Sequence, residues 1–170
     1  MKKKLLLSMI IIVGLLIFTG CGKPKNESND NSTNNNIVKV NGIDLHLNKE
    51  KEFNGIKYTI TDDLKEVNHD QYVQYYLYQD SGPNLLFFRI FYYENKSHDD
   101  IRKDLAIDSN LIEEQGKTNI VEYNFIDTKR TDGTIHYYII DKDNISYVIN
   151  FVSQYDIKNF EKIVMDSIYF

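Results

Sequence analysis

The nine residues Leu85 to Tyr93 carry a single charge among eight apolar side chains. Side chains alternate between the two faces of a strand. In that conformation Leu86, Phe88, Ile90 and Tyr92 line one face, while Leu85, Phe87, Phe91 and Tyr93 surround Arg89 on the other. Both faces then require cover, so the strand belongs in the interior of a sheet and not at its edge. If a helix covers the wholly apolar face, the Arg89 face is left for a second helix, a partner or a ligand.

The same period of two recurs from Ile37 onward. Ile37 to Val40 and Ile43 to Leu47 flank Asn41-Gly42, a dipeptide suited to a type I′ hairpin turn. Further strands are expected at Gly55 to Thr61, Tyr72 to Gln79, Asn119 to Asp127, Thr134 to Ile140 and Ile145 to Val152, with turns at Asp80-Ser81-Gly82-Pro83, Asp132-Gly133 and Asp141 to Asn144. Ser97 stands three residues before Asp100, a capping pattern that opens a helix to about Ser109. A second helix is expected from Ser153 or Asp156, its apolar stripe formed by Ile157, Phe160, Val164 and Ile168. Hairpin-like strands broken by one helix and closed by another predict an α+β fold: an antiparallel sheet of about seven strands with a mid-chain helix and a C-terminal helix packed on it.

A chain of 170 residues has room for one domain of ordinary size. Its front end is a separate matter. Lys2, Lys3 and Lys4 precede Leu5 to Phe18, a charge-free run that is short for a membrane span, which takes roughly 20 residues. Phe18-Thr19-Gly20-Cys21 follows, and Cys21 is the only cysteine. This segment resembles the lipobox of bacterial lipoproteins, with Phe18 where Leu is usual. The resemblance implies a leader at 1–20, acylation of the Cys21 thiol, and attachment to membrane lipid on the extracytoplasmic face of the cell membrane. Two or more acyl chains hold a protein stably at a bilayer, whereas one does so marginally. Gly22 to Asn36 has no apolar side chain besides Pro24, and six of its fifteen residues are Asn. Residues 21–36 are therefore expected to form a flexible polar linker, leaving 37–170 as the single globular domain.

Strand meander, mid-chain helix, three long strands and a closing helix that ends in Asp166-Ser167-Ile168-Tyr169-Phe170 resemble the PsbP-like fold of small bacterial lipoproteins. Tyr147-Val148-Ile149-Asn150-Phe151 matches the strand pattern expected before that helix. The usual Pro-x-x-Trp element is absent, and Lys49 to Asn54 is polar in its place. A LolA-like curved half-barrel is the alternative with the same ingredients.

Chemistry is sparse. The lone cysteine excludes disulfides and thiolate metal sites. His46, His69, His98 and His136 show no metal-ligand spacing, so no metal or other cofactor is expected. His98 reads as a surface residue of the first helical turn. Asp141 to Asn144 lacks the Gly and Glu of a calcium loop and reads as a turn. No nucleophile elbow or phosphate loop occurs, so no catalytic residue is assigned. Removing the three leader lysines leaves 17 basic against 25 acidic residues, a balance of −8 that repels nucleic acid. Extending the alternation gathers Arg89, Glu122, Asn124, His136, Tyr138 and Asn150 into a candidate ligand or partner face. The expected role is a non-catalytic module of the cell envelope that binds a protein or small ligand. The alternatives are a LolA-like lipid or lipoprotein carrier, and a cell-surface enzyme working through Arg89, Glu122 and His136.

Overall fold

The computed structural model describes residues 36–77 and 86–170. The leader, Cys21, all of the linker except Asn36, Leu85 and the turn at Asp80 to Pro83 lie outside the described residues. Within them, eleven strands form three antiparallel sheets accompanied by two helices, which is an α+β fold. Among the described residues no helix is long and apolar enough to cross a membrane.

Two small hairpins come first. β1 (Ile37–Val40) pairs with β2 (Ile43–His46), and β3 (Lys49–Phe53) with β4 (Ile56–Ile60). Each closes through Asn-Gly at positive φ: 49° and 83° at Asn41-Gly42, 48° and 89° at Asn54-Gly55. These are the dihedrals a type I′ turn demands, which Gly adopts without a steric penalty. The polar stretch from Lys49, not expected to be a strand, is one because its outer face is solvated and its turn chemistry sets the register. Phe53 is its buried residue.

The main sheet has seven strands. They are β5 (Lys65–Asn68), β6 (Tyr72–Leu77), β7 (Leu86–Glu94), β8 (Glu114–Lys117), β9 (Glu122–Asp127), β10 (Thr134–Lys142) and β11 (Ile145–Ser153). Their spatial order is β5-β6-β7-β11-β10-β9-β8. Helix α1 (His98–Asp104) carries the chain from β7 to the far edge, and a meander of hairpins then returns β11 to the side of β7. The strand with two apolar faces is therefore interior, as its composition requires. β5 and β8 had no period-2 signal of their own, being short, polar edge strands.

Ser97 caps α1, its hydroxyl accepting from the Asp100 N–H at 3.2 Å. The helix stops at Asp104 and not near Ser109, because Ala106 turns left-handed at φ 52°. The chain then folds back over Arg102, whose Nη2 donates to the carbonyls of Asp108 at 2.6 Å and Leu111 at 2.7 Å. Of the two expected starts for helix α2 (Lys158–Asp166), Asp156 lies close to the observed one, whereas Ser153 is the last residue of β11. Similarly, Asn119 to Val121 form the turn before β9 instead of its first residues, held by Thr118 Oγ1 accepting from the N–H groups of Ile120 and Val121.

Ile157, Phe160, Val164 and Ile168 of the expected stripe are all buried, packed with Phe88, Ile90, Ile149 and Phe151 of the sheet and with the inner sides of both small hairpins. Phe151 joins the Phe88 ring at 5.1 Å to the Phe160 ring at 6.0 Å. A hydroxyl pair lies in this core, with Tyr58 and Tyr75 oxygens 2.7 Å apart. Burial pushes Tyr58 up to about 12 and raises Tyr75 as well. On the opposite face of the sheet, a smaller cluster joins Ile101 and Ile107 to Ile126, Ile139 and Val148. Ile149 and Phe160 are wholly inaccessible. Ile149→Asp and Phe160→Asp should each abolish the cooperative thermal transition, since an unpaired buried carboxylate costs a large part of a typical stability of about 5–15 kcal/mol. Retention of that transition in both variants would contradict the assigned faces.

Candidate functional site

Directly opposed residues in adjacent strands share a face. Arg89 is opposite Gln74 on β6 and Asn150 on β11; Asn150 is opposite Tyr137 on β10, and Tyr137 opposite Ile126 on β9. This row lies on the face away from α2. The Arg89 guanidinium carbon sits 4.7 Å from the Phe87 ring centre, 4.9 Å from Phe91 and 5.3 Å from Tyr72. Phe87 and Phe91 are two residues to either side on the same strand, so alternation itself builds this aromatic bed. Gln74 and Asn150, which flank the cation, are buried. Among the described residues Arg89 has no hydrogen-bond or ion-pair partner, and its Nε is buried without one.

Asn150 Nδ2 donates to the His136 carbonyl at 3.1 Å, which leaves its side-chain oxygen as an acceptor. Burial raises the Tyr137 hydroxyl above its ordinary value of 10.0, while Arg89 and Arg130 pull it down. At neutral pH it is an un-ionised donor. Arg89, half-buried on rings, offers a planar cationic fork suited to a carboxylate or phosphate group attached to an apolar or planar body.

The six expected residues do not form one face. Arg89 and Asn150 are neighbours. Glu122 and Asn124 share their side of the sheet but stand three strands away, which with the offset along β9 places Glu122 roughly 20 Å from Arg89. Both line a polar cleft of about 470 Å³ with Gln115, Lys117, Ile139 and Asp141. His136 and Tyr138 point to the other face, opposite Phe151 and Ile149 respectively. There the His136 Nδ1 is 2.7 Å from Glu161 of α2, and its Nε2 is 3.6 Å from Asp127. Burial, then Glu161, raises the Tyr138 hydroxyl. The reason for the split is parity. His136 and Tyr138 are even-numbered on β10, and the register gives the odd positions to the Arg89 row. Tyr72, Gln74 and Tyr137 escaped the sequence reading, because only the pairing of β6 with β7 sets Tyr72 and Gln74 beside Arg89, and only the pairing of β10 with β11 brings Tyr137 into the same row, beyond Asn150.

His98 is not a free surface residue. Its Nδ1 is 3.2 Å from Glu113 and its Nε2 2.9 Å from Asp141, while Glu113 also accepts from Arg102 at 3.1 Å. These contacts tie α1 and the returning segment to the end of β10. Among the described residues no group of three or more His, Cys, Asp or Glu is arranged to hold a metal ion.

No family model matches the chain, and no curated protein matches it. A crystal structure of a Bacteroides thetaiotaomicron protein is similar at 17% identity with a TM-score of 0.44, over 67% of this chain and 44% of its own. The chain thus spans less than half of that neighbour's length.

Two outcomes are expected from this geometry. Arg89→Leu should change stability by no more than about 1 kcal/mol, because loss of cation–π attraction is offset by removal of an unpaired, half-buried charge. Urea unfolding measures this, and a loss of about 3–5 kcal/mol would mark Arg89 as half of a buried ion pair. For His98, burial disfavours the cation, but hydrogen bonds to Glu113 and Asp141 outweigh it and raise the pKa above 6.5. The imidazolium's contribution to stability is therefore complete below pH 6.5 and lost as pH rises through the raised value. His98→Gln should flatten the stability profile in that window, and an unchanged profile would remove His98 from the linkage.

Proposed function

We propose that this chain is a lipid-anchored, extracytoplasmic bacterial lipoprotein whose domain is a non-catalytic binding module of the cell envelope, with the Arg89 row as its recognition surface. The observation that carries the anchoring is the lone Cys21, placed directly after a basic cap, a charge-free run and two small residues. The recognition role is supported by the unpartnered Arg89 on its aromatic bed between buried Gln74 and Asn150. A cation that makes no ion pair within the described fold adds little to its stability, and recognition of an anionic group gives such a residue a use. The PsbP-like label belongs to the same proposal. What supports it is the order of elements: a meander, one mid-chain helix, four returning strands of which the last three are the longer, and α2 lying over the sheet.

Replacing Cys21 with Ser tests the anchoring. The wild-type protein should partition into the detergent phase and carry a diacylglyceryl mass at Cys21, and the variant should do neither. Detergent partitioning of Cys21→Ser, or an unmodified Cys21 in the native protein, would overturn the lipoprotein reading.

A further inference from the structure

Three polar groups in the row through Arg89 have no hydrogen-bond partner among the described residues. They are the buried Arg89 Nε, the half-buried Tyr137 hydroxyl, and the amide of Gln74, a residue only 4% exposed. Folding ordinarily pairs such groups, and a fold gains nothing by leaving three of them in one row.

The next row on the same face is apolar. Phe87 is opposite Val152 on β11, and Val152 is opposite Ile135 on β10. All three are half-buried and line a pocket of about 180 Å³. That is the room of about six waters, enough for a phenyl ring or a short alkyl chain. Phe87 joins the two rows, since its ring also carries the Arg89 guanidinium at 4.7 Å. Past Ile135, Arg130 is opposite Gly133, which places it on this face too, and it lines the same pocket. Asp132 lines the pocket as well, so the charge of Arg130 is offset there. Arg89 is then the uncompensated charge beside the pocket.

We infer that the Arg89 row and this pocket form one site for a small organic acid. Its single carboxylate lies over Asn150, held by Arg89 and the Tyr137 hydroxyl, with Gln74 flanking the fork. Its ring or short alkyl body lies over Val152, between Phe87 and Ile135. The inference rests on Arg89 as the recognition residue and adds the class of ligand. A guanidinium fork donates to both oxygens of a carboxylate, and a tyrosine hydroxyl donates one bond more. One uncompensated cation matches one negative charge, whereas a phosphate monoester carries about −1.5 to −2 near neutral pH. Val152 is two residues from Asn150 along β11, roughly 7 Å, which is within reach of a body attached to a carboxylate over Asn150.

The test is methyl NMR of the full chain in detergent, titrated with hydrocinnamate, a phenyl ring joined to a carboxylate by two methylenes. The Val152 and Ile135 methyl signals should shift and saturate, while those of Ile149, buried on the other face, should not. Hydrocinnamamide has the same body and no charge, and it should bind about tenfold more weakly or worse. Arg89→Leu should weaken binding of the acid by a similar factor, and Tyr137→Phe by about three- to tenfold. The comparison of acid with amide on the wild type decides the matter should Arg89→Leu not fold. Absence of a saturable shift at Val152 and Ile135, equal binding of acid and amide, or full binding by a folded Arg89→Leu or Tyr137→Phe would each overturn the inference. Phenyl phosphate in the same titration separates it from the broader reading. Arg89-dependent binding of phenyl phosphate, with none of the acid, would discard the carboxylate class and leave Arg89 as a recognition residue. If neither titration depends on Arg89, both fall.

Discussion

Nine residues of β7 face nine residues of β11 in unbroken antiparallel register, and the rest of the sheet depends on that pairing. It aligns Phe88 with Phe151 and Ile90 with Ile149 beneath α2, while Arg89 meets Asn150 on the far side. A slip of one residue would exchange the two faces, burying Arg89 under the helix and exposing Phe88. The apolar cost of that exchange makes the register strongly specified. From it follow, through direct opposition, the orientations of β6, β10 and β9, and hence the membership of every surface on the sheet.

The polar chemistry divides accordingly. Two histidines each stand between two carboxylates: His98 between Glu113 and Asp141, His136 between Asp127 and Glu161. Each joins a helix to the sheet, α1 in the first case and α2 in the second. These groups are absorbed in holding layers together, as is Arg102 with its two carbonyl acceptors and Glu113. Among the described residues Arg89 differs in having rings and amides around it and no anion. Strand alternation supplies Phe87 and Phe91, and pairing with β6 and β11 supplies Tyr72, Gln74 and Asn150.

The legible parts of the fold were those with strong local signals. The doubly apolar Leu85 to Tyr93, the Asn41-Gly42 turn, the Ser97 cap and the stripe of α2 each express a period or a turn chemistry contained in a few neighbouring residues. β3, β5 and β8 were hidden because a short strand with a solvated face has no apolar alternation to show. Asn54-Gly55 was the one available clue to β3. The candidate face was half legible. Arg89 and Asn150 could be assigned to one row, but His136 and Tyr138 required knowing which parity of β10 meets which parity of β11. That is a property of pairing between distant segments, and no window along the chain contains it. The His98–Asp141 contact spans 43 residues and was invisible for the same reason.

Whether Arg89 is truly without a structural anion is decided most directly by a double-mutant cycle of Arg89→Leu and Glu122→Gln, read by urea unfolding. With the two side chains some 20 Å apart on this register, their effects should add to within about 0.5 kcal/mol. A coupling of about 1 kcal/mol or more would mean that the two groups pair, making Arg89 a piece of the scaffold and removing the basis for a recognition surface.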